Sequence, residues 1–275
     1  MKPYFTVIIP TLNEEGYIGS LLSDLNKQKY TDFEVIIIDG NSDDKTKNVA
    51  RNCRRSFPLI FHRVTKRQVS FQRNKGSELA HGSYLIFLDA DVHIQRAFLQ
   101  NIYHQIQKQK GLFFIPEIVP SVRDPQIKMI FEGVNAAIRM SQTLGKPFSS
   151  GGSMIIERHF FYRLGGFSEK AFMSEDHQLV QEAYRYGVHA KFSPNIKLSF
   201  SLRRFNKEGK FKVLYKYVVN TIHFLSKGKV DKKICEYEMG GHLYKGDKKK
   251  RFVFEDIIKV PLKQFRAAFY DLFEE

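Results

Sequence analysis

Two hydrophobic periods alternate along the first third of the chain. The runs Phe5–Ile9, Val35–Ile38, Leu59–Phe61 and Tyr84–Leu88 are short, rich in β-branched and aromatic residues, and each ends in polar or turn-forming positions. That is the pattern of strands buried on both faces. Between them apolar residues recur at helical spacing. Glu14–Gln28 puts Tyr17, Ile18, Leu21, Leu22 and Leu25 on one face, Asp44–Asn52 can follow an Asp43 cap, and Phe71–His81 runs into Gly82, which would stop it. Strand-helix-strand alternation with short connections predicts an open α/β sheet with right-handed crossovers. Ligands of such sheets bind beyond the C-terminal strand ends. Pro10-Thr11-Leu12-Asn13-Glu14, Asp39-Gly40-Asn41-Ser42-Asp43 and Asp89-Ala90-Asp91 fall there.

After Asp91 the pattern changes. Gln95–Lys108 reads as a helix, Leu112–Ile115 as a strand and Gln126–Leu144 as a longer helix. A turn over Ser149-Ser150-Gly151-Gly152-Ser153 precedes the strand Met154–Ile156, and Asp176–Tyr186 is helical up to Gly187. Beyond residue 203 the sequence predicts a helix Lys207–Ser226, a basic loop Lys245–Arg251 and a helix near Phe254–Phe273 kinked at Pro261.

The 275 residues are 43% hydrophobic, which excludes disordered and collagen-like classes. The formal charge of +15 is uneven, because residues 197–275 carry 19 Lys and Arg against 10 Asp and Glu. Nucleic acid, acidic lipid headgroups and phosphorylated substrates would all answer such an excess. No stretch approaches 18 uninterrupted apolar residues, the N-terminus lacks a signal-peptide pattern, and Cys53 and Cys235 form no disulfide framework. The expectation is a reducing, cytoplasmic setting with peripheral membrane contact left open.

Three acidic features carry candidate chemistry. Asp89 and Asp91 directly follow an apolar strand, so two carboxylates one residue apart are presented at a strand end. A hard divalent cation bound to a diphosphate needs this, although Asp91 could equally cap the next helix. Asp39 closes the strand Val35–Ile38 and can accept from a nucleobase N–H or ribose hydroxyls, or merely cap a turn. Glu175-Asp176 opens an amphipathic helix, where Asp176 could take a proton from an attacking alcohol or serve as a simple cap.

Taken in order, Thr6–Glu15, Glu34–Thr46, Arg73-Asn74-Lys75-Gly76, Phe87–Asp91, Gly151-Gly152 and Glu175-Asp176 resemble the successive blocks of family 2 glycosyltransferases of GT-A fold, over about residues 5–190. The resemblance implies a mixed, mostly parallel central sheet flanked by helices, a nucleotide-diphospho-sugar donor, a divalent metal (Mn2+ or Mg2+) and single-step inversion at the anomeric carbon. It implies a catalytic domain over 1–202, with a nucleotide-sugar part to about 92 and an acceptor part over 93–202. A basic, amphipathic helical extension would cover 203–275. Carried over by position, Pro10, Thr11 and Glu14 would lie against the nucleoside and Asp39 would bind base or ribose. Arg73 or Lys75 would sit near the donor, Asp89 would contact ribose or metal, Asp91 would ligate the metal, and Asp176 would be the general base. The chain departs from processive members at their Q-x-x-R-W, whose nearest match, Ser201-Leu202-Arg203-Arg204-Phe205, has Ser for Gln and Phe for Trp, so a single-addition enzyme is expected. Arg204, or Arg203 beside it, would clamp the diphosphate or belong to the general basic surface. His189, His223 and His242 are available as a third metal ligand, none in a convincing context.

The stripe Phe211, Leu214, Tyr215, Val218, Val219, Ile222 and Leu225, flanked by lysines, suits a membrane interface or a protein surface. On a membrane it would bring the site to a lipid-linked acceptor, with Lys248–Arg251 on anionic headgroups. A soluble saccharide acceptor remains the other option. Two further readings compete. A sugar nucleotidyltransferase would want a basic, Gly-rich loop after the first strand, where Leu12-Asn13-Glu14-Glu15 is acidic. A non-catalytic nucleic-acid-binding module would want basic and aromatic residues on an open sheet face, whereas these strands read as buried, so nucleic acid is an unlikely partner.

Overall fold

The computed structural model describes residues 2–53, 55–143, 145–149, 151–170 and 175–203. The predicted helices over 207–226 and 254–273, the basic loop, Arg204, His223 and His242 lie outside them. In chain order the elements are β1 (Phe5–Thr11), α1 (Ile18–Asn26), β2 (Phe33–Asp39), α2 (Thr46–Asn52), β3 (Leu59–Arg63), α3 (Val69–Leu79), β4 (Tyr84–Phe87), β5 (His93–Ile94), α4 (Phe98–Gln109), β6 (Phe113–Pro120), α5 (Pro125–Thr143), β7 (Met154–Glu157), α6 (Arg158–Arg163), α7 (Glu175–Arg185) and β8 (Lys191–Phe200).

One sheet runs β3-β2-β1-β4-β7-β6-β8-β5. Strands β1 to β4 are mutually parallel, β7 is antiparallel to both β4 and β6, and β8 runs parallel to β6. The chain steps outward from β1 through β2 to β3, then returns to place β4 on the other side of β1. That reversal is a topological switch point, and the edge beyond the C-terminal ends of β1 and β4 is where sheets of this kind form their binding crevice.

Both faces of the first strands are covered, as their unbroken apolar runs require. Val7, Ile9, Val35, Ile37 and Ile86 pack with α1 and α4. Ile8, Ile36, Ile38, Leu85 and Phe87 face the other way and share a core with Leu179, Val180 and Ala183 of α7. Helix α3 lies so close to β1 that a Cβ on Gly76 would stand 2.4 Å from Ile8 Cγ2. Gly76→Ala is therefore expected to cost about 1–3 kcal/mol by overpacking, visible as a lower midpoint in denaturant unfolding.

Two departures from the sequence pattern matter for the site. Helix α1 starts at Ile18 and not at Glu14, because the preceding residues bond across to the loop after β2. Asn13 takes a left-handed φ of 56°. The amides of Asn13, Glu14 and Glu15 donate to Ser42 Oγ (2.8 Å), Thr46 Oγ1 (2.8 Å) and Asp44 Oδ2 (3.1 Å). The second departure is β8, which sequence periodicity misses. Its pairing with β6 jumps from Pro116↔Ser193 to Glu117↔Lys197, leaving Pro194, Asn195 and Ile196 as a bulge that breaks the alternation.

Candidate active site

The crevice gathers residues from five connections. Thr11 ends β1, Asp39 ends β2, and Asp89 follows β4. Antiparallel β7 starts beside the end of β4, with Met154 paired to Phe87, so Gly151-Gly152-Ser153 arrives at the same edge. Strand β8 shares the direction of β6, and its exit delivers Arg203 there too.

Asp39 is the hub of the β1–β2 corner. Its Oδ1 accepts from Thr11 Oγ1 (3.0 Å) and Ser42 Oγ (2.6 Å), and its Oδ2 from Ser42 N (3.0 Å). Arg63 Nε lies 3.3 Å from Oδ2. The carboxylate has no exposed surface, so here it acts as the turn-capping acceptor. A nucleoside would reach it only if the Ser42 turn or Arg63 moved. Asp43, expected as a helix cap, pairs instead with Arg67 (2.7 Å), and Asp44 accepts from Thr46 N at the start of α2.

Helix α3 supplies three successive side chains to three places. Gln72 Nε2 bridges the carbonyls of Thr11 (2.9 Å) and Ile38 (2.7 Å), tying β1 to β2. Asn74 exchanges two hydrogen bonds with the backbone of Phe167. Between them Arg73 extends into the crevice, with Nη2 2.9 Å from Asp89 Oδ1 and Nη1 2.8 Å from Glu175 Oε1. Its guanidinium lies over the Phe167 ring and is nearly sealed from solvent. It fits because residue 152 is glycine: a Cβ there would sit 1.5 Å from Arg73 Nη2. Of the two expected donor-side cations, Arg73 is the one that meets Asp89 and Glu175. Lys75, two residues on and so on another helix face, pairs with Glu78 (2.7 Å).

Asp176 stands beside this pair. Its Oδ2 accepts from Gly151 N (2.9 Å) and lies 3.3 Å from His177 Nδ1. Burial alone would raise the Asp176 carboxyl, but His177 and then Arg73 outweigh it and hold it below the usual carboxylate range. Asp176 is therefore a charged acceptor at neutral pH. The His177 ring packs against Phe148.

The third group joins the β1 loop to the residues after β4 through Arg203. Its Nη1 and Nη2 grip Glu14 at 2.7 and 3.1 Å. Its Nε is 2.8 Å from Asp91 Oδ2, an ion pair by distance though not aligned as a hydrogen bond. The guanidinium also rests 4.9 Å from the Tyr17 ring centroid. Asp91 does not cap the next helix, whose N-cap is Ala97 without a side-chain bond. Burial pushes the Glu14 carboxyl up to about 7, with Arg203 opposing and Asp91 and Asp89 adding to the rise. Native Glu14 thus keeps a proton that the unfolded chain has lost between about pH 4.5 and 7, and stability falls as pH rises through that window. Relative to Glu14→Gln, the wild-type melting temperature is expected to drop over that range, by an amount worth up to about 3 kcal/mol.

Asp89 and Asp91 offer hard oxygen donors, which suit Mg2+ or Mn2+ whose remaining positions are filled by phosphate oxygens and water. Among the described residues no group of three or more His, Cys, Asp and Glu side chains is placed to hold a metal. His189 is elsewhere, stacked edge-on to Tyr184 at 4.8 Å. Asp89 and Asp91, each paired with an arginine, would need phosphate oxygens and water to complete a cation's shell.

Comparison with known proteins identifies the family. The sequence profile described as Glycosyl transferase family 2 matches residues 6–165, more than half of the chain, including Asp39, Arg73, Asp89, Asp91 and Gly152, while Glu175, Asp176 and Arg203 lie beyond the matched range. The chain belongs to glycosyl transferase family 2. Its similarity to a PGL/p-HBAD biosynthesis glycosyltransferase of Mycobacterium bovis is 37% identity over 97 residues, spanning 34% of this chain and 38% of that relative. Among solved structures, it resembles the mannosyltransferase PcManGT of Pyrobaculum calidifontis in complex with GDP-Man and Mn2+ (TM-score 0.64, 22% identity, 81% of this chain and 64% of that one). It also resembles S. aureus TarS 1-349 in complex with UDP-GlcNAc (TM-score 0.58, 19% identity, 81% and 66%). These likenesses establish the GT-A fold.

Within this family 2 chain, two contributors escape the sequence reading: Gln72 and His177 carry no motif signal beyond their adjacency to Arg73 and Asp176. Of the pair Arg203 and Arg204, Arg203 reaches Glu14 and Asp91, and Arg204 lies outside the described residues.

Proposed function

We propose that the protein is a metal-dependent, inverting glycosyltransferase that moves a sugar from a nucleotide-diphospho-sugar to an acceptor hydroxyl. The observation that supports this reading is the convergence at the β1/β4 switch point of Asp89, Asp91 and the ionised, buried Asp176, with Arg73 between Asp89 and Glu175 and Arg203 on Asp91. Pro10, Thr11 and the loop of Glu14 would flank the nucleoside, with Asp39 shaping that pocket or meeting the base after the Ser42 turn shifts. Asp89 and Asp91 would hold the divalent cation, which supplies charge neutralisation for the departing nucleoside diphosphate. Arg73 keeps Asp89 and Glu175 at fixed positions and adds positive charge near the leaving group.

Asp176 takes the acceptor proton as the acceptor oxygen bonds to the anomeric carbon and the carbon–oxygen bond to the diphosphate breaks. A single carboxylate in that role matches direct displacement, since retention would need a nucleophile in addition. The acceptor is read as a saccharide or lipid-linked saccharide. No helix among the described residues is long and apolar enough to cross a membrane. The basic extension 203–275 is read as the part that meets the acceptor or an anionic cytoplasmic membrane face, and residues 1–202 as the catalytic domain.

Asp91→Asn tests the donor side. Calorimetry of UDP and GDP binding in Mn2+ is expected to show at least a tenfold loss for the variant, with nucleotide binding in EDTA unchanged. Equal affinity of variant and wild type in Mn2+ would remove Asp91 from the metal site.

A further inference from the structure

The Arg203 guanidinium is enclosed beside the carboxylates of Glu14 and Asp91. It is held by two separate segments: the β1–α1 connection, through Glu14 on two nitrogens and the Tyr17 ring, and the residues after β4, through Asp91 on a third nitrogen. Its side chain is 12% exposed, and those of Glu14 and Asp91 are 8% and 11% exposed. A cation so enclosed is a fixed counter-ion for the very carboxylate that the metal reading needs.

We infer that Arg203 is a resident cation that competes with the divalent metal for Asp91, so that metal enters only together with the donor diphosphate. The inference rests on the metal reading given above and goes beyond it by fixing the order of binding. Its logic is electrostatic. Metal on Asp91 would share that carboxylate with Arg203, whose Nε is 2.8 Å from Oδ2, in a poorly solvated setting where like charges repel strongly. Metal alone must therefore displace Arg203 and leave a buried guanidinium without Asp91, a costly state. A diphosphate changes the balance, because its oxygens complete the metal shell and offer Arg203 a planar, bidentate anionic partner in place of Asp91. Glu14 and Tyr17 keep the side chain within reach during the exchange. The same device would keep the site from filling with free metal between turnovers.

The test is Mn2+ binding to the nucleotide-free full chain, read by calorimetry and by quenching of the Mn2+ electron paramagnetic signal. Arg203→Gln is expected to bind Mn2+ at least tenfold more tightly than wild type, while its affinity for UDP or GDP in saturating Mn2+ falls about tenfold. Arg203→Lys keeps the charge without the fork and is expected to fall between the two, which preserves the comparison should Arg203→Gln fold poorly. Unchanged or weaker Mn2+ binding in the nucleotide-free variants overturns the inference, even when Mn2+-dependent nucleotide binding by wild type supports the metal reading. If wild type binds neither UDP nor GDP more tightly with Mn2+ than without it, the metal reading fails, and the inference falls with it.

Discussion

Asp176→Asn is expected to lower the rate of sugar transfer by about 10²–10⁴-fold while leaving donor affinity within about twofold of wild type. The substitution removes the proton acceptor but keeps a side-chain oxygen for Gly151 N, which now donates at 2.9 Å, so the loop before β7 should hold its place. A split between lost transfer and kept nucleotide binding separates a chemical role from a structural one. Single-turnover transfer with calorimetry of UDP and GDP on the same preparation measures both. Full transfer activity in the variant would refute the base assignment.

Arg73→Met carries the largest expected effect on stability. The guanidinium is the common partner of Asp89 and Glu175 at 2.9 and 2.8 Å and is almost wholly enclosed. Burial by itself would lower the Arg73 pKa, and Asp89 followed by Glu175 reverse this and raise it, so the cation is retained in the interior. Removing it leaves the carboxylates facing one another with no counter-charge, a situation that costs about 3–5 kcal/mol. Thermal unfolding should register this as a drop on the order of 10 °C. The double variant Arg73→Met/Glu175→Gln should recover part of the loss, because one stranded charge is gone. Two losses that simply add would show that the residues are not coupled. Gly152→Ala approaches the same network from outside, since its Cβ would collide with Arg73 Nη2.

Much of this architecture is legible in the sequence because it depends on local pattern. The buried runs of β1, β2 and β4 are continuous apolar stretches with polar ends, and a parallel sheet with two covered faces is the arrangement that accommodates them. Positions at strand ends follow from that, which is why Thr11, Asp39 and Asp89 can be placed before any coordinates exist. What fails to show depends on contacts between distant segments. Asp39 reads as a ligand-facing acid, yet Thr11, Ser42 and Arg63 surround it, and the last of these comes from the end of β3. Glu14 reads as the start of a helix, whereas bonds from its loop to Ser42, Asp44 and Thr46 hold that loop open. The choice between Arg73 and Lys75 turns on helix phase relative to Asp89 and Glu175. The choice of Arg203 turns on β8, whose three-residue bulge hides the strand that aims it.

The central claim is that the β1/β4 crevice binds a nucleotide diphosphate with a divalent cation, and a thermal-shift panel of nucleoside diphosphates and nucleotide sugars, each with and without Mn2+, tests it most directly. Ligand at about 100 times its dissociation constant adds about 2.7 kcal/mol, which for a chain of this size is on the order of 5–10 °C. A rise of that size is expected for at least one nucleotide, with a much smaller one without Mn2+. No stabilisation by any nucleotide, with or without the metal, would contradict it.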